Sequence, residues 1–85
     1  MMKEIWVVAV TDEYSVTNIK RVRTDNEGMV KYVKKALKDN GVNKETIKVE
    51  TGRNCIQGSA TKGLYDDQYV SVTSVKEISM RVVDI

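Results

Sequence analysis

The sequence predicts a small α+β domain in which one amphipathic helix, over about residues 25–40, packs on one face of a mainly antiparallel sheet in the order β-β-α-β-β, with room for a fifth strand. Three observations carry this: an apolar, β-branched run at Ile5–Val10, a capped helical period from Thr24 to Gly41, and alternating apolar and polar residues at Thr46–Thr51 and from Tyr69 onward. At 85 residues the chain has room for one domain, 1–85.

Glu4-Ile5-Trp6-Val7-Val8-Ala9-Val10-Thr11 is apolar on both parities, which predicts an interior strand covered on both faces, or one at a subunit interface. The polar stretch Thr11–Ser15 suits a hairpin connection. Val16 to Arg23 is read as a second strand. Its apolar residues Val16, Ile19 and Val22 recur at period three, so a bulged edge strand is expected.

Thr24-Asp25-Asn26-Glu27 matches a capping box with threonine as the cap, and Met29, Val30, Val33, Ala36 and Leu37 then form one helical face. Gly41 is placed to end the helix in the left-handed conformation, with Val42 making the accompanying apolar contact. Thr46–Thr51 alternates as a half-buried strand. Gly52–Gln68 carries three of the five glycines and is expected as a long loop or an irregular hairpin. Val70 and Val72 share a parity with Ile78, Met80 and Val82. This predicts either one long strand to Asp84 or a hairpin turning at Ser74–Glu77.

Composition excludes more than it suggests. The chain has no histidine, which removes the commonest general base and metal ligand and every Ser-His or Cys-His dyad. With a single cysteine, Cys55, neither an internal disulfide nor a one-chain structural zinc site can form. No catalytic residue, metal or cofactor is therefore expected. No run approaches a membrane span, and Ile5–Val10 lies too close to the start for a secretory signal. The expected location is the cytoplasm.

Two basic clusters stand out. Lys31, Lys34, Lys35 and Lys38 fall within about a third of the helix circumference, opposite the apolar face. This is a solvated face or a patch for phosphates or an acidic protein. Lys20, Arg21 and Arg23 precede the helix. Arg21 and Arg23 share one strand face and Lys20 the other, and they either guard a sheet edge or extend the lysine stripe.

The stretch Gly52–Gly63 is not a Walker loop. Five residues separate Gly52 from Gly58, and Ser59 rather than lysine follows. Arg53 and Lys62 with nearby amides remain as a looser anion nest, set against a plain flexible connection, and Cys55 is expected as a buried, inert thiol. Asp12-Glu13 and Asp66-Asp67 are read as turn residues. Trp6 is either core or, if it lies on the sheet face the helix leaves bare, an interface anchor.

The run Ile5-Trp6-Val7-Val8-Ala9-Val10, the helix opening Thr24-Asp25-Asn26-Glu27, and Tyr65-Asp66-Asp67 leading into Tyr69-Val70-Ser71-Val72 resemble small proteins encoded by phages and mobile elements of Gram-positive bacteria. That resemblance carries no functional residue. It implies a stoichiometric inhibitor or adaptor of a host protein, of the anti-defence, anti-CRISPR kind. The expectation is thus a non-catalytic binding protein, with a homodimer through the bare sheet face compatible with its size. One alternative is a nucleic-acid-binding protein using the lysine stripe with Arg21 and Arg23. Another is a dimeric sponge for an anionic nucleotide at Arg53 and Lys62.

Overall fold

In the computed structural model, which describes residues 3–12, 16–63 and 69–77, five strands form one antiparallel sheet. They are β1 (Glu4–Asp12), β2 (Val16–Thr24), β3 (Lys48–Thr51), β4 (Cys55–Thr61) and β5 (Tyr69–Lys76), arranged β2-β1-β5-β4-β3. The helix α1 (Asn26–Asp39) lies across one face. The expected α+β architecture is present, and among the described residues one strand lies where none was expected. It is β4, within the glycine-rich segment expected as a loop. The turn at Glu13-Tyr14-Ser15 and the course of the chain after Glu77 lie outside the described residues.

β1 sits between β2 and β5, as its β-branched composition requires, and only one of its faces is covered by the helix. β2 is an edge strand. Its pairing with β1 is regular from Glu4↔Thr24 to Val10↔Asn18 and then jumps to Thr11↔Val16. One residue of β2 is thereby left over in a bulge, which accounts for the spacing of Val16 and Ile19, whereas Ile19 and Val22 pair regularly and fall on opposite faces.

The helix begins one residue later than a threonine cap would place it. The Asp25 carboxylate accepts a hydrogen bond from Gly28 N–H at 2.7 Å, making Asp25 the N-cap. Glycine then occupies N3, and Glu27 has no reciprocal bond to make as it would in a capping box. At the other end Gly41 adopts φ +75°, donates to Lys38 O at 3.0 Å, and leads into buried Val42. Thr46, expected to open β3, instead closes a single 3₁₀ turn at Lys44–Thr46. The Thr46 hydroxyl accepts from Thr61 N–H at 2.9 Å and clasps the end of β4.

The core lies between helix and sheet: Met29, Val33 and Leu37 from α1 meet Trp6, Val8, Ile56, Ala60, Val70 and Val72. The helix sits closest over Gly58, where an added Cβ would overlap Val33 and stand 3.0 Å from Leu37 Cδ1. Two polar side chains are buried in the same layer. Ser74 donates to Ile56 O at 2.7 Å, and Lys76 places its ammonium 3.1 Å from Glu4 Oε2 and 5.3 Å from the centroid of the Trp6 ring.

Candidate binding surfaces

Strand register assigns every side chain of the sheet to a face, and this decides which candidate residues can act together. Trp6, Val8 and Val10 pair across β1 with Lys76, Ser74 and Val72, all on the side that carries α1. Trp6 is fully buried, and its indole N–H donates to Thr24 O at 3.0 Å. It is therefore a core residue and not an interface anchor, because its parity points it under the helix.

The residues on the opposite parity of β1, namely Ile5, Val7 and Ala9, form the centre of the face that α1 leaves bare. Val7 pairs with Arg21 and Val75, Ala9 with Ile19 and Thr73, and Ile5 with Arg23. On the other half of this face Ser71 meets Ser59, Thr73 meets Gln57, and Val75 meets Cys55, so the surface passes from apolar to hydroxyl-rich. Ile19 is 65% exposed and Ile5 37%. For β-branched residues on a sheet this is a substantial apolar exposure, and it adjoins the guanidinium groups of Arg21 and Arg23. Arg21 is ion-paired with Glu77. Cys55 also lies here and is exposed, contrary to the expectation of a buried thiol, because it opens β4 on the uncovered face.

The helix lysines point the other way. Lys31, Lys34, Lys35 and Lys38 are all exposed along the outer ridge of α1, and none is ion-paired among the described residues. Like-charged neighbours meet at i,i+3 (Lys31–Lys34, Lys35–Lys38) and at i,i+4 (Lys31–Lys35, Lys34–Lys38). At a few tenths of a kcal/mol per pair, these four repulsions cost the helix roughly 1–2 kcal/mol, partly offset by the opposite charges of Glu27–Lys31 and Lys35–Asp39 at i,i+4. Arg21 and Arg23 do not extend the stripe, as the whole sheet and the helix stand between them. The basic residue that shares the helix side is Lys20, paired with Val8. A surface combining the four lysines with Arg21 and Arg23 is therefore ruled out.

Arg53 and Lys62 are separated as well. They flank the seven-residue strand β4 at its two ends, about 20 Å apart, so they cannot close on one anion. The Arg53 end is tied to the helix start, where Asn26 Nδ2 donates to Arg53 O at 3.3 Å. It lines a shallow groove with Asn26, Glu27, Val30 and Thr51. A second groove, at the far end of the sheet, is lined by Thr46, Lys48, Ser59, Thr61 and Tyr69. Neither holds a converging set of charged groups. Among the described residues no group of three His, Cys, Asp or Glu side chains is placed to hold a metal ion, and no helix is long and apolar enough to cross a membrane.

No protein-family model, curated protein or solved structure matches this chain. The surfaces themselves are the basis for a functional reading. Sequence reasoning missed Ile5, Val7 and Ile19, and grouped Lys20 with Arg21 and Arg23 without separating their faces. Their signal was present only as parity within two strands, and parity cannot be assigned to a face until the helix is placed.

Proposed function

We propose that the protein is a non-catalytic binding module that acts as a stoichiometric inhibitor or adaptor of another protein, and that its contact surface is the bare face of the sheet. The carrying observation is the apolar patch of Ile5, Val7, Ala9, Ile19 and Val75 on the face opposite α1, with Ile19 65% exposed. Interfaces of this kind pair an apolar centre with a charged margin. Here the margin is Arg21 and Arg23, so the partner is a protein presenting an apolar strip bordered by carboxylates. Arginine suits this role because its planar fork bonds a carboxylate bidentately.

The test is quantitative capture of partner protein by the immobilised chain, compared with an Ile19→Glu variant. Ile19 contributes little to the core, so the variant should melt within about 2 °C of the parent while partner capture falls at least tenfold. An Arg21→Glu/Arg23→Glu variant should lose capture through charge reversal against the carboxylate border. Undiminished capture by Ile19→Glu would place the contact elsewhere.

A further inference from the structure

We infer that the helix side of the molecule carries a second, independent surface, formed by Lys31, Lys34, Lys35 and Lys38, that binds the phosphate backbone of nucleic acid without reading its sequence. It is distinct from the protein-binding face, because the sheet separates the two.

The charge pattern of the ridge supports it. The ridge is free of acids along its length: Asp25 and Glu27 lie at one end of the helix and Asp39 at the other. The four lysines repel one another at every neighbouring spacing and have no ion-pair partner among the described residues. A face needed only for solvation would gain helix stability by interleaving glutamates, as such pairs attract.

The chemistry selects the partner. From Lys31 to Lys38 the ridge spans about 10 Å, a length over which duplex DNA presents about six charges. The cluster holds no arginine for bidentate base contacts and no exposed large apolar residue to anchor a protein or enter a lipid surface. Evenly placed point charges suit a repeating polyanion, held by counterion release.

The experiment is a fluorescence-anisotropy titration of a labelled 20-base-pair mixed-sequence duplex at several salt concentrations, with poly-glutamate as competitor. With about four phosphates neutralised, the slope of log K against log salt should be close to −3.6, roughly a 150-fold loss between 50 and 200 mM salt. Two sequences of different base composition should bind within about a factor of two of each other. Lys34→Glu/Lys35→Glu converts all four like-charge pairs into opposite ones. It should raise the melting temperature while reducing duplex binding at least 30-fold, and this opposite movement separates lost binding from lost folding. Arg21→Glu/Arg23→Glu, on the other face, should leave duplex binding within about twofold. Binding that is unchanged in Lys34→Glu/Lys35→Glu, or lost equally in the arginine variant, would overturn the assignment. Competition by poly-glutamate as effective as by unlabelled duplex would replace nucleic acid by an acidic protein and overturn it too. If Ile19→Glu abolishes protein capture but leaves duplex binding intact, the two surfaces are independent.

Discussion

Replacing Trp6 by alanine should destabilise the domain by about 3–5 kcal/mol, the range for deleting a large buried aromatic side chain. Trp6 is the largest fully buried side chain, and three interactions converge on it. Its ring fills the space between β1 and the helix start, its N–H satisfies Thr24 O at 3.0 Å, and its face receives the Lys76 ammonium at 5.3 Å. The last contact makes the loss larger than cavity formation alone. Lys76 is 9% exposed, so without the ring its charge keeps only the Glu4 carboxylate at 3.1 Å to offset its burial. For a domain with about 4–13 kcal/mol of total stability, such a loss leaves the folded state marginal. Chemical denaturation followed by circular dichroism measures it. Trp6→Phe retains most of the volume and the cation–π contact but leaves Thr24 O without its donor. It should cost distinctly less, about 1–2 kcal/mol. A cost below 1 kcal/mol for Trp6→Ala would contradict the placement of Trp6 under the helix.

Gly58→Ala should destabilise by about 1–3 kcal/mol, the range for overpacking, and Gly58→Val should prevent stable folding. The reason is steric rather than conformational, as Gly58 has an ordinary extended backbone in the middle of β4. A methyl group there enters the space of Val33 Cγ1 and comes within 3.0 Å of Leu37 Cδ1, with the Lys48 carbonyl 3.7 Å away. The helix would have to rise from the sheet, loosening Met29, Val33 and Leu37 together. The diagnostic is a double-mutant cycle. Val33→Ala alone should destabilise by creating a cavity, yet in the Gly58→Ala background it should cost much less, because it removes the clashing methyl. Additive effects would mean that the two residues are not in contact.

How much of this was legible beforehand differs by element. The helix was readable to within a residue at each end, because its period and Gly41 are local signals. The shift of the cap from Thr24 to Asp25 is the kind of adjustment that neighbouring capping residues conceal. β4 was not readable as a strand. Its inward residues are Ile56, Gly58 and Ala60, and two of them are small because the helix presses on them. Close packing thus removed the β-branched signature that marks a strand. β1 had the opposite difficulty: with both parities apolar, nothing local says whether Trp6 or Ile5 goes under the helix. For the same reason the basic residues could be grouped by sequence but not by face. Arg21, Arg23 and the helix lysines are close along the chain and lie on opposite sides of the molecule, whereas Lys20 lies on the helix side of the sheet through strand parity.

If a protein partner covers the bare face of the sheet, the sole thiol is placed to report it. Cys55 is exposed, opens β4 on that face and pairs directly with Val75. The rate at which a thiol reagent modifies Cys55 should be measured for the free chain and again in the purified complex with its captured partner. Modification should be rapid in the free chain and at least tenfold slower in the complex. Equal rates in the two states would show that the partner does not occupy this face, and would contradict the claim.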